Sequence, residues 1–258
     1  MKKKLLFING HLNTGGVEKA LLDILTHLNY EEYDVDLLLT EALGDYTDQL
    51  PPQVNVMLRS IEGTYGSFPK VILRCLKERD WFSLKMRFIF QGMKVFGQSW
   101  VRCAKKMLTG RKHYDCVIGF RPGFCTQIAV FAADADRRIT WWHHGEVNVN
   151  TKSYSELAQR CDRVVAVSDS CRQMLTAAFP ALVDKIVTIH NMLDVQEIQS
   201  KADRFAPYSG KDILHIVSIG RLVPEKHFDN AVFGARKLKD RGIRFRWHLV
   251  GDGVLHAF

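Results

Sequence analysis

Apolar residues in this chain come in short continuous runs, and between the runs they recur at helical spacing. The first run, 4–8, is basic at its start and apolar through its body, and predicts a buried strand. Residues 9–16 form a polar, glycine-containing turn. Val17, Ala20, Leu21, Ile24, Leu25 and Leu28 then fall on one helical face. Further strands are predicted over 34–40, 54–58, 114–119, 138–142, 163–167 and 185–189, with a short apolar helix over 126–133. Ser168 to Ser170 is an N-cap cluster before a helix that reaches Phe179 and is closed by Pro180. Strands and helices in alternation predict an open α/β fold.

A polar stretch, 196–210, with Pro207, Ser209 and Gly210 near its end, reads as a linker. A second, shorter domain follows: a buried parallel strand over 213–219, a helix over 228–240, a strand over 244–250 and then Gly251-Asp252-Gly253. The expected organisation is a first domain over 1–195, the linker over 196–210, and the start of a second domain over 211–258.

Residues 67–110 break the pattern. They are long, basic and rich in aromatics, and Gly92 and Gly97 weaken a single continuous helix, so two or three helices are expected. Their apolar faces can be drawn through Val71, Leu73 and Leu76 and through Leu84, Phe88 and Val95. Between 67 and 113, twelve basic residues stand against only Glu78 and Asp80. The whole chain carries +8, so the excess positive charge belongs to this segment and implies an anionic partner for it. Three readings fit basic residues interleaved with aromatics: contact with an anionic membrane, nucleic-acid binding, or helices whose rings face the core and whose lysines face water. Nucleic acid is the least favoured of the three.

The rest of the composition is that of an ordinary soluble globular protein, 47% hydrophobic and 25% charged. No apolar run approaches the roughly 18 residues of a membrane span. The apolar part of the basic N-terminus is interrupted by Asn9, Gly10 and His11, too early for a signal peptide, so a cytoplasmic chain is expected. The six cysteines form no C-x-x-C pair and no zinc spacing, which points to reduced thiols and no metal.

Three places could carry chemistry. Gly220, Arg221 and Lys226 lie in I-G-R-L-V-P-E-K, a turn between a strand and a helix. Open α/β sheets bind ligands outside the carboxyl ends of their strands. Backbone amides with two cations there suit an anion such as a diphosphate, unless Arg221 and Lys226 merely face solvent. Gly15 and Gly16 open the first helix in N-G-H-L-N-T-G-G-V-E, which lacks G-x-G-x-x-G; they either admit a ligand close to the backbone or serve helix packing. His143 and His144 follow the strand over 138–142 in W-W-H-H-G-E. Either could donate a hydrogen bond or act as acid or base, or be a packed residue beside tryptophan. Strand alternation makes it improbable that both face one cleft. Glu146 has no second carboxylate to make a glycosidase pair.

Gly220 to Asp229, G-R-L-x-P-E-K-x-F-D, followed by H-L-V-G-D-G at His248 to Gly253, resembles the second domain of glycosyltransferase family 4. Gly15, Gly16 and Glu18 match the family's G-G-x-E opening. Val167, Ser168 and Ser170 match its V-S-x-S, and Ile189 to Asp194 resembles its crossing between domains. The resemblance implies a GT-B fold, two Rossmann-like domains facing a cleft. It implies a nucleotide-sugar donor held at Gly15, Gly16, Glu18, Gly220, Arg221 and Lys226, with Arg221 and Lys226 on its diphosphate. It places a histidine near the reacting sugar: Trp141-x-His143 fits one version of the family element and His144-Gly145 another, and His143 is preferred. The implied reaction is retaining hexosyl transfer to a glycan or lipid-linked acceptor in cell-surface polysaccharide synthesis, without cofactor or required metal, in the cytoplasm and at the inner face of the membrane.

Only about 48 residues follow from Lys211 onward, and the family's E-x7-E donor element has no equivalent in them. Residues 254–258 also depart from the family's run. A chain truncated early in its second domain is expected, with little or no activity. The alternative is a non-catalytic remnant that binds an acceptor or an anionic membrane through 67–113. Another Rossmann-type nucleotide enzyme is disfavoured, because neither half carries a dinucleotide or Walker loop.

Overall fold

The structure, a computed structural model, describes residues 1–110, 112–147, 150–202 and 213–254. It divides into two compact units, Met1–Leu193 and Asp194–Phe258. Most of the linker expected over 196–210, with its Pro207, Ser209 and Gly210, lies outside the described residues, as do Lys211, Arg111 and 255–258.

In the first unit, β1 (Lys3–Asn9), α1 (Gly16–His27), β2 (Tyr33–Leu39) and β3 (Val54–Leu58) come first. The basic segment supplies α2 (Phe68–Glu78), α3 (Trp81–Phe96), a 3₁₀ stretch and the short α4 (Lys105–Leu108). β4 (His113–Gly119), α5 (Phe124–Gln127), β5 (Asp134–Trp142), α6 (Thr151–Ala158), β6 (Arg163–Ala166), α7 (Asp169–Ala178) and β7 (Ile186–Thr188) complete it. The seven strands form one parallel sheet in the order β3-β2-β1-β4-β5-β6-β7. A parallel sheet buries both faces, so its strands read as continuous apolar runs. β1 shows this: Leu6 and Ile8 enter the core under α3 to α5, while Phe7 enters the core under α1 with Leu21, Leu25 and Leu37. A third cluster joins Trp142 to Tyr154 and Phe179, and fixes α6 and α7 to the far end of the sheet.

The chain order reverses between β1 and β4. From β1 it runs outward to β2 and β3; from β4 it runs the other way to β7. The crevice at the carboxyl ends of these two strands is the switch point, where sheets of this kind bind ligands.

Several expectations are corrected. Of the apolar faces drawn through α2 and α3, Leu73, Leu76, Phe88 and Val95 are exposed, against the reading in which they face the core; the buried positions are Val71, Cys75, Ser83, Met86 and Ile89. Gly92 does not break α3. It lies where a Cβ would stand 2.1 Å from the Trp100 indole, so the glycine makes room for that ring. Gly97, at φ +82°, is where α3 ends. Where the sequence shows only a connection, α6 packs Tyr154 and Leu157 inward. The expected cap at Ser168 is present, its hydroxyl accepting from the Cys171 amide at 3.1 Å. The six cysteines are free; Cys103 is exposed and Cys116 half-buried.

The second unit begins with α8 (Val195–Ala202), so the start of the expected linker is helical. β8 (Leu214–Ile219), α9 (Phe228–Asp240) and β9 (Phe245–Val250) follow, with β8 and β9 parallel. Gly234 lets α9 lie against Trp247, whose indole donates to Ser218 at 3.1 Å. No described residue of this unit is buried; Ile219, Val232 and Phe233 are among its exposed apolar side chains. Among the described residues, no helix is long and apolar enough to cross a membrane.

Candidate active site

The turn after β1 is held from two sides. The Leu12 amide donates to Leu43 and the Tyr46 amide to Leu12, while Asp45 accepts from both the amide and the hydroxyl of Thr14 at 2.8 Å. These two bonds hold the Asp45 carboxyl below its usual pKa. Gly44 permits the contact: at φ +85°, its Cβ would stand 2.2 Å from the Leu12 backbone. The braced turn delivers Gly15 and Gly16 to the start of α1, beside the switch point.

The two glycines do different work. A Cβ on Gly15 would meet the Glu18 carboxylate at 2.4 Å, whereas one on Gly16 would meet nothing within 4 Å. A side chain at Gly15 would displace the Glu18 carboxylate from its place beside Arg121, whereas Gly16 is open to whatever approaches. Glu18 is buried. Its carboxylate pairs with the Arg121 guanidinium and lies 3.7 Å from His11 Nδ1. Its charge is engaged within the protein.

Arg121 comes from the turn after β4. The Phe120 amide donates to Ile8 at 2.9 Å, which ties the end of β4 to β1, and the Arg121 carbonyl accepts from Thr126. A Cβ on Gly119 would meet the Thr126 backbone at 3.0 Å, so the glycine lets α5 pack close behind.

β5 ends at Trp142, and the two histidines diverge immediately beyond it. His143 joins the face of Trp141, stacking parallel to that ring at 6.3 Å and lying 4.6 Å from Phe120. His144 follows Trp142 on the other face, meeting it edge-on, and its carbonyl accepts from the Trp142 indole at 3.0 Å. Burial pushes the His143 pKa down to about 4, the Arg121 cation adds to the shift, and the Phe120 backbone only partly opposes it. His143 is therefore neutral at physiological pH, with the Phe120 backbone its only protein partner among the described residues, and that contact is too poorly aligned to satisfy either ring nitrogen fully. A half-buried neutral imidazole has one donor and one acceptor nitrogen, so it can donate to, or accept from, a ligand hydroxyl.

In the second unit, the turns after β8 and β9 lie against each other. Gly220 donates to Val250 at 3.0 Å and Leu222 to Asp252 at 2.8 Å. Gly251 at φ +156° and Gly253 at φ +157° make this approach feasible, since their Cβ atoms would fall 1.8 Å from the Gly220 oxygen and 2.4 Å from the Leu222 oxygen. A 3₁₀ turn, Pro224–Lys226, and His227 in the left-handed region separate Arg221 from α9. Arg221 and Lys226 are exposed, and Lys226 also lines a shallow recess with Ser218, Phe228 and Trp247.

The structure thus brings Gly15, Gly16, Glu18 and His143 together in the first unit, and Gly220, Arg221 and Lys226 in the second. His144 lies apart from His143. Sequence reasoning missed Arg121 and His11, although both stand just past a strand that ends in the apolar-to-glycine pattern. Among the described residues no group of three His, Cys, Asp or Glu is placed to hold a metal.

The family model described as Glycosyltransferase Family 4 matches residues 14–197. The fold is similar to that of a TarM mutant from S. aureus in complex with fondaparinux, alpha-GlcNAc-glycerol and UDP. The two share 12% identity with a TM-score of 0.62, over 99% of this chain and 73% of the other. It is also similar to the catalytic domain of starch synthase IV from Arabidopsis thaliana bound to ADP and acarbose, at 10% identity and TM-score 0.58, over 98% and 69%. A glycosyltransferase from Rickettsia africae aligns at 19% identity and TM-score 0.54, over 97% and 61%. No curated protein matches the chain. The architecture is therefore α/β and Rossmann-like, as in the GT-B glycosyltransferases it resembles.

Proposed function

This chain belongs to Glycosyltransferase Family 4, and from that membership we propose transfer of a hexosyl group from a nucleotide-sugar to a glycan or lipid-linked acceptor, in cell-surface polysaccharide synthesis. One observation carries the reading: the open Gly16, Arg121 and a neutral His143 stand just beyond the carboxyl ends of β1, β4 and β5, beside the switch point. A sheet of this order binds its ligand there. Two of the similar structures are complexes with UDP and with ADP, and a nucleoside diphosphate is what a nucleotide-sugar leaves after transfer.

In this reaction an acceptor hydroxyl attacks the anomeric carbon, the bond from that carbon to the diphosphate breaks, and the hydroxyl proton leaves with the diphosphate. Attack and departure on one face of the sugar retain configuration. Family membership assigns Arg221 and Lys226 of the second unit to the leaving diphosphate, where charge develops and fixed cations accelerate most. His143 hydrogen-bonds a sugar or acceptor hydroxyl without adding charge, and Gly15, Gly16 and Glu18 shape the wall on which the donor rests. The six free thiols favour a reducing compartment and hence a cytoplasmic reaction.

Little donor turnover is expected of this chain by itself, because none of the described residues of the second unit packs around Arg221 and Lys226 to form a buried donor pocket. The test is titration of purified 1–258, and of its Arg221→Ala and Lys226→Ala variants, with UDP, GDP and ADP, alongside diphosphate release from their sugars. Binding that each variant weakens by about tenfold is the expected result. Failure of every diphosphate to bind, or indifference to both substitutions, would overturn the donor site. Rapid diphosphate release would overturn only the expectation of low activity.

A further inference from the structure

We propose that the outer face of the α2–α3 hairpin docks onto an anionic lipid bilayer. This inference does not depend on the transferase reading. The hairpin carries apolar side chains that the core does not use: Leu73 and Leu76 on α2, and Trp81, Phe88, Val95 and Phe96 on α3. Leu73 is 70% exposed and Val95 69%, values normal for lysine and unusual for a branched aliphatic. Trp81, Phe88 and Val95 recur every seven residues and so project from one side of α3. Phe68, at the start of α2, meets Phe88 edge-on at 5.5 Å and joins the two helices' apolar rows. Beside Val95 and Phe96 a groove opens that is almost wholly apolar, floored by Ile89, Gly92 and Trp100.

The same hairpin exposes Lys70, Lys77, Arg79, Lys85 and Lys94, and among the described residues none of these forms an ion pair. Of its two acids, Asp80 is engaged in capping α3 through the Ser83 amide at 2.9 Å. Charge selects the occupant. A second copy of the chain would press one strongly basic segment against another. A nucleic acid would satisfy the lysines and stack on Trp81 and Phe88, but it offers nothing to Leu73, Leu76 and Val95, since base recognition of this type uses rings. An anionic bilayer takes both parts at once: aliphatic and aromatic side chains enter the acyl boundary, and cations on long stems stay among the headgroups.

The experiment is flotation of the purified chain with vesicles of phosphatidylcholine, with and without phosphatidylglycerol. The expected result is at least tenfold stronger binding to the anionic vesicles, falling steeply as salt rises from about 0.1 M toward 1 M. Leu73→Ser/Leu76→Ser/Val95→Ser weakens binding at every salt concentration, and Lys70→Gln/Lys77→Gln/Lys94→Gln weakens it about tenfold at low salt. All six positions are exposed, so matched melting curves are expected, and they separate docking from misfolding. Brominated acyl chains quench wild-type fluorescence, and Trp81→Phe loses that part of the quenching while its flotation persists. Equal binding to neutral and anionic vesicles, or indifference to both triple variants, would overturn the proposal. So would a dimer that the Leu/Val variant dissolves, or tighter binding of single-stranded oligonucleotide than of vesicles at the same salt.

Discussion

The Arg121 guanidinium, just beyond β4, pairs with the Glu18 carboxylate in the first turn of α1. One ion pair thereby bridges the two elements that border the switch point. Glu18 is 3% exposed and Arg121 30%. Breaking a buried pair leaves an uncompensated charge and costs about 3–5 kcal/mol, and the partial exposure of Arg121 puts this pair at the lower end. Arg121→Met should therefore destabilise by roughly 3 kcal/mol in urea unfolding, and Glu18→Gln on the same background should restore part of the loss. Strictly additive losses would show that the pair is not coupled.

His143 makes stability depend on pH. Its pKa is pushed from an ordinary value near 6.5 down to about 4, so between those values the unfolded chain takes up a proton that the folded state refuses. Stability is therefore full above about 6.5 and is lost as pH falls toward 4. His143→Phe keeps a ring beside Phe120 and removes the titration. The difference between wild-type and variant stability curves should slope through that window and be flat above it. A flat difference throughout would show that His143 titrates normally.

Gly15 and Gly16, adjacent and both glycine, should respond oppositely to the same change. Gly15→Ala pushes the Glu18 carboxylate oxygen away from Arg121 and should lower stability by about 1 kcal/mol, through the ion pair rather than through core packing. Gly16→Ala, at the first position of α1, meets open space and should fold at least as stably as wild type, yet weaken diphosphate binding. Equal melting temperatures for the two variants would contradict this division of roles.

Gly92→Ala tests packing against propensity. Alanine is favoured over glycine within a helix by about 1 kcal/mol. Its methyl would stand 2.1 Å from the Trp100 indole, and overpacking costs about 1–3 kcal/mol. The variant should melt lower than wild type; a higher melting temperature would mean that Trp100 yields freely.

Strand and helix positions were legible wherever one periodicity dominated. The predicted strand over 54–58 and helix over 228–240 coincide with β3 and α9. The glycine turn and the Arg221–Lys226 turn were visible because small residues and cations at strand ends have few other uses. Arg121 was not visible, since it becomes a site residue only when β4 is laid beside β1, and that pairing joins residues over a hundred positions apart. The divergence of His143 and His144 was foreseeable from strand alternation, but the loss of His143's charge was not, because it depends on Phe120, Trp141 and Arg121 closing around the ring.

The hairpin of α2 and α3 marks the boundary most clearly. From its own residues the sequence determined that this segment is helical, basic and apolar at helical spacing, since those properties are local. Which apolar residues face inward was decided only by the tertiary structure. Two rows compete along α3; the sheet accepts Met86 and Ile89 and leaves Trp81, Phe88 and Val95 outside. Periodicity reports that a helix has an apolar stripe, and only the partner surface determines which stripe is covered.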